Sequence, residues 1–130
     1  MIVVDASVVV VALADDERDG IAARDRLADE RLVAPHLVDV EVASAWRRLV
    51  ASAMLDERRA NLAFSDLAAL RVERVAHAPL LPRAWELRET LTTYDAVYVA
   101  LAELLDTTLV TADSRLARAN GPRCPIDLLR

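Results

Sequence analysis

The chain has 130 residues, enough for one domain (residues 1–130) that buries roughly two-thirds of the surface its unfolded form exposes. Apolar residues make up 55% and aromatic ones only 4%, so the core must be aliphatic; no apolar run reaches the ~18 residues of a membrane span, and no basic leader precedes one. A net charge of −5 argues against a basic nucleic-acid coat, two histidines and one cysteine leave no Cys/His zinc site or internal disulfide, and the lone Cys124 fits a reducing, cytoplasmic setting.

In chain order, residues 2–4 read as a short buried strand, followed by Asp5-Ala6-Ser7 and an apolar helix over about 8–14, with Ser7 as its expected N-cap. Residues 15–18 form a charged turn. An amphipathic helix over 21–30 presents Ile21, Ala22, Leu27 and Ala28, and a second strand over 32–34 ends at Pro35. The repeat Leu37, Val38, Val42, Ala45, Trp46, Leu49 marks a helix over 37–55. Asp56 caps the next helix, to about residue 70, with Leu62, Phe64 and Leu67 expected inside.

Residues 72–76 alternate as a strand, and Pro79 and Pro82 lead into a helix through 91. Thr92 or Thr93 caps a long helix over 94–105 with the repeat Tyr94, Val97, Leu101, Leu104. A strand over 109–111, a short helix over 114–119, a break at Gly121-Pro122 and an edge strand over 125–128 complete the chain. Strands of three to five residues separated by longer helices imply βαβ connections, hence an α/β fold: a three-layer α/β/α sandwich with a small parallel sheet.

Four carboxylates interrupt segments that are otherwise apolar. Asp5 follows Ile2-Val3-Val4, Asp113 follows Leu109-Val110-Thr111, Glu41 lies within Val40-Glu41-Val42, and Asp95 within Tyr94-Asp95-Ala96-Val97. Asp5 and Asp113 stand just past strand carboxyl ends, where open parallel sheets bind ligands. Glu41 shares a helix face with Leu37 and Ala45 and so points inward, while Asp95 occupies a helix first turn, where the dipole favours an acid. Singly, Asp5, Asp95 and Asp113 also read as helix caps or first-turn acids. Four such acids, if they converge, call for a metal, and an all-oxygen set suits Mg²⁺ or Mn²⁺. Such ions activate water for attack on a phosphodiester, and acids that hold metal also explain a negative charge on a nucleic-acid enzyme.

The order and setting of these acids resemble a PIN domain, and within it the VapC toxins of bacterial toxin–antitoxin pairs. The matching pieces are Val3-Val4-Asp5-Ala6-Ser7, Val40-Glu41-Val42 with Ala45-Trp46-Arg47-Arg48, the run from Tyr94-Asp95-Ala96 to Ala102, and Leu109-Val110-Thr111-Ala112-Asp113-Ser114-Arg115-Leu116. The resemblance implies a metal-dependent endoribonuclease in which Asp5, Glu41, Asp95 and Asp113 hold Mg²⁺ or Mn²⁺ and Ser7 and Thr111 support them. It also implies an RNA substrate, a homodimer, and a cognate antitoxin protein that wraps an apolar groove and offers a cation to the acidic pocket. Some relatives carry a further acid just after the fourth, where this chain has Arg115, Leu116, Ala117 and Arg118.

All 16 basic residues are Arg. Arg47, Arg48, Arg115 and Arg118 flank the motifs and are candidates for RNA phosphate contacts, since a guanidinium forks onto two oxygens; a solvated helix face is the plainer reading. Trp46, Trp85, Tyr94 and Tyr98 fall at core spacing, with base stacking by Tyr94 or Tyr98 a lesser option. The absence of Lys removes receiver and dehalogenase-type aspartyl-phosphate chemistry, which pairs a strand-end Asp with Lys. A non-enzymatic dimerisation or partner-binding module and a housekeeping RNA-processing nuclease remain as alternatives.

Overall fold

The computed structural model describes residues 1–129. Five parallel strands, β1 (Ile2–Val4), β2 (Leu32–Pro35), β3 (Val72–Val75), β4 (Leu109–Thr111) and β5 (Ile126–Leu128), form one sheet in the order β3-β2-β1-β4-β5. Strands β1 and β2 are continuous apolar runs buried on both faces, as parallel strands covered by helices must be. Edge strands β3 and β5 are only half-buried, and that is where Glu73, Arg74 and Asp127 are found.

Helices flank the sheet, giving the α/β architecture its alternating elements imply. Helix α6 (Thr93–Leu104) lies against β1, β2 and β4, with α5 (Leu81–Glu86) packed on it. Helix α1 (Ala6–Ala14) lies against β4 and gathers α2 (Arg18–Leu27), α3 (Val38–Ala51) and α4 (Glu57–Ala69) around it; α7 (Ser114–Ala117) caps the β4 end. Seven consecutive residues of α6, Ala96 to Ala102, are buried, so this helix is apolar nearly all round because it sits inside the molecule.

Guanidinium groups close α1 at its carboxyl end. Arg24 Nη1 donates to the carbonyls of Ala12 and Asp15, and Arg59 Nη2 donates to that of Leu13. The Trp46 indole donates to the Val10 carbonyl at 3.2 Å, which fixes α3 beside α1 and so sets the height of Glu41 above the sheet.

Several local expectations are corrected. Ser7 lies inside α1 rather than capping it; Asp5 is the N-cap residue, and neither side chain bonds the helix's free N–H groups. Helix α2 begins at Arg18 and buries Gly20 and Ala23, while Ile21 is exposed: a glycine lets that face press against Asp15. Leu62 and Phe64 are exposed, Phe64 lying edge-on over buried Trp46 with ring centroids 5.0 Å apart. Trp85, Tyr94 and Leu104 are also exposed, whereas Val97 and Leu101 of the expected α6 repeat are buried, joined by Tyr98. Arg88 stacks on the Trp85 ring at 4.7 Å, and the helix expected through residue 91 ends at Glu86.

Candidate active site

In this sheet β2 and β3 lie on one side of β1 and β4 and β5 on the other, so the order reverses between β1 and β4. That switch point leaves a crevice beyond the strand carboxyl ends. Asp5 and Asp113 leave β1 and β4 there, and Glu41 and Asp95 arrive on the first turns of α3 and α6.

Asp5 is the most enclosed of the four, only 6% exposed. Its backbone N–H still continues the ladder by donating to Val110. Ser7 Oγ donates to its Oδ2 at 2.6 Å and Thr111 Oγ1 to the same oxygen at 2.8 Å. Those hydroxyls are held in turn: Ser7 Oγ accepts from the Ala112 N–H and Thr111 Oγ1 from that of Asp113. Burial pushes the Asp5 carboxyl above its usual range, the two hydroxyls pull it partly back, and nearby Asp113 adds to the rise.

Glu41 and Asp95 are half-buried and carry the same sign of strain. Burial raises both carboxyls, and each feels Asp5 as a like charge; Asp95 also raises Glu41, and Asp113 raises Asp95. Thr92 Oγ1 accepts from the Asp95 backbone N–H, the cap that sets where α6 starts. Tyr98 donates to Glu41 Oε1 at 2.7 Å. The sequence reading assigned Tyr98 to the core without this role. Its signal was position: Tyr98 follows Asp95 by three residues, so both share one face of α6. Fully buried Tyr98 has no face for a base to stack on.

Asp113 differs from the other three. As N-cap of α7, its Oδ1 accepts from the Arg115 backbone N–H at 2.9 Å, and Oδ2 meets Arg115 Nη2 at 3.1 Å. Burial works to raise this carboxyl, but the Arg115 N–H and guanidinium outweigh it and leave it below its usual range.

Asp5, Ser7, Glu41, Asp95 and Asp113 line one open cleft of about 510 Å³, with Arg48 and Arg115 on its rim. Thr111 is fully buried behind Asp5, while Arg47 and Arg118 are exposed and outside the lining. Arg48 donates to Ser44. Among the described residues, no three His, Cys, Asp or Glu side chains close into a ready-made metal cage. The cleft is thus an acid-lined hollow with two guanidiniums at its edge, a lining whose oxygens could hold a hard cation.

The sequence profile of the PIN domain matches residues 2–122. The chain is 46% identical to ribonuclease VapC1 of Mycobacterium tuberculosis over 129 residues, covering 98% of this chain and 97% of that protein. It is 45% identical to ribonuclease VapC9 of the same organism over 129 residues, covering 99% and 98%. The crystal structure of VapBC2 from Rickettsia felis, bound to a DNA fragment from its promoter, superposes over the whole length of both chains with a TM-score of 0.68 at 16% identity, a likeness of fold. The chain therefore belongs to the PIN-domain family and, within it, to the VapC ribonucleases.

Proposed function

We propose that this chain is a divalent-metal-dependent endoribonuclease, the toxin of a toxin–antitoxin pair, with Asp5, Glu41, Asp95 and Asp113 as its catalytic, metal-holding acids. One observation carries the reading. Four carboxylates from four separate segments face one cleft at the sheet's switch point, and three of them are held above their ordinary range by burial and mutual repulsion.

The donor set fits Mg²⁺ or Mn²⁺: it is all oxygen, it is open, and Arg48 and Arg115 at its rim relieve only part of the strain, leaving Asp5, Glu41 and Asp95 raised. A bound ion of this kind supplies a water of lowered pKa and neutralises charge on a leaving oxygen. Ser7 and Thr111 hold one oxygen of Asp5 and orient that carboxylate. Tyr98 orients Glu41 in the same way. Arg48 and Arg115 on the cleft rim are the proposed contacts to RNA phosphate, with exposed Arg47 and Arg118 as further candidates.

Partner binding has its own surfaces. Val10, Val11, Ala14, Leu49, Met54 and Leu55 line a hollow of about 580 Å³, and Val10 and Val11 also line the acidic cleft. Such a groove suits an antitoxin segment that ends in a cation. Exposed Leu81 and Tyr94 share a shallow, mostly apolar hollow with Leu37 and Val97, a patch suited to a homodimer. Among the described residues no helix is long and apolar enough to cross a membrane. A purely partner-binding module would have no use for buried, repelling acids, so catalysis is the better reading.

The test is cleavage of total RNA by the purified chain, with the new 5′ ends sequenced. Cleavage is expected with Mg²⁺ or Mn²⁺ and is expected to vanish in EDTA and in Asp5→Asn and Asp95→Asn. Equal cleavage in EDTA would overturn the mechanism.

A further inference from the structure

The four acids are not equivalent in what already satisfies them. Asp5 and Glu41 are met by hydroxyls, whereas, among the described residues, Asp113 alone of the four is in a salt bridge, and both its oxygens are engaged by residue 115. The bond to Oδ1 comes from backbone and belongs to the cap of α7, so it persists as long as the helix does. The bond to Oδ2 comes from a side chain that is 82% exposed and uses one guanidinium nitrogen rather than the paired fork. An exposed, single-toothed ion pair is weak and readily exchanged.

Resting on the metal-site reading above, we propose that Arg115 competes with the divalent ion for Oδ2 of Asp113. It occupies that oxygen in the metal-free protein and releases it when an ion enters, which frees the guanidinium at the cleft rim for substrate phosphate. Arg115 is thus a positioning residue with two alternative anionic partners, and the fourth acid joins the metal site only after the exchange. The cleft contains its own control. Arg48 lines the same space but donates to Ser44 and forms no salt bridge among the described residues, so its removal changes the local field without unlatching an acid.

The experiment is calorimetric titration of the full chain with Mn²⁺, without RNA. Arg115→Ala is expected to bind Mn²⁺ about two- to five-fold more tightly, the scale of an exposed pair. Arg115→Lys, which keeps the charge, should fall between it and the parent, and Arg48→Ala should gain less. In the Asp113→Asn background, which keeps a capping side chain, the gain from Arg115→Ala should disappear. Unchanged or weaker Mn²⁺ binding by Arg115→Ala would overturn the proposal, as would a gain that survives in Asp113→Asn. If the parent protein binds no Mn²⁺ at all, the metal reading falls and this inference with it; if it binds and Arg115→Ala matches it, only this inference falls.

Discussion

The Tyr98 hydroxyl donates to Oε1 of Glu41 at 2.7 Å and ties α6 to α3 beneath the acidic cleft. Burial, then the Glu41 charge, pushes the phenol far above its usual range, so Tyr98 remains a proton donor at any working pH. Glu41 is raised by burial and by Asp5 and Asp95, and this hydrogen bond offsets part of that rise. Tyr98→Phe keeps the ring and removes the donor. The fold should survive, while the divalent concentration needed for half-maximal RNA cleavage should rise about 10- to 100-fold, the usual effect of losing a partner behind a metal ligand. A titration of cleavage rate against Mn²⁺ checks it; an unchanged midpoint would show that Glu41 needs no orienting.

Without a divalent ion, Asp5, Glu41 and Asp95 stay raised, with Arg48 and Arg115 relieving only part of the strain on Glu41 and Asp95. Mg²⁺ at about 100 times its dissociation constant should therefore add about 2.7 kcal/mol of stability, near 10 °C in melting temperature for a chain of this size. Asp5→Asn removes one repelling charge and keeps an acceptor for Ser7 and Thr111. Its metal-free melting temperature should be no lower than the parent's, and most of the Mg²⁺ shift should be gone. Thermal melts with and without Mg²⁺ decide this, and no shift in the parent at saturating metal would contradict a shared site.

The sequence made the strands and the acids legible because both are local. Val3-Val4-Asp5 and Val110-Thr111 announce a buried strand ending at a polar turn, and the structure adds that β1 and β4 are neighbours. What could not be seen was long-range. Ser7 reads as a helix cap until Thr111, 104 residues away, arrives beside it and turns its hydroxyl toward Asp5. The α6 repeat pointed to Tyr94 and Leu104, yet the helix ends project beyond the sheet and only its middle is covered on all sides. Ile21 in place of Gly20 was the natural apolar choice for α2, since periodicity cannot register how closely a neighbouring backbone passes.

Gly20 is where that close approach becomes measurable. A Cβ built there would lie 1.7 Å from the Asp15 carbonyl oxygen and 2.6 Å from its carbon, both backbone atoms that cannot swing aside. Within a helix, Gly→Ala ordinarily stabilises by about 1 kcal/mol. Here the sign should invert, with Gly20→Ala costing about 1–3 kcal/mol as the turn between α1 and α2 is forced open. The urea midpoint should fall, and a rise would mean that this turn is more compliant than it looks.

Glu103 provides a pH test away from the cleft. Its carboxylate, 14% exposed, receives Arg83 at 2.7 Å and the Arg123 backbone N–H at 2.8 Å. Burial acts to raise this carboxyl, but those donors outweigh it and leave it below the ordinary glutamate value. A depressed carboxyl binds fewer protons folded than unfolded. Its contribution is therefore complete above the unfolded value of about 4.3 and is lost as pH falls through the folded one. Glu103→Gln should cost about 1–2 kcal/mol at pH 7, because Arg83 loses a charged acceptor. The gap between parent and variant should stay constant from pH 6 upward and close as pH falls through the depressed folded value. Urea melts across that range measure it; a gap that instead widened on acidification would mean that the Arg83 pair does not hold this carboxylate charged.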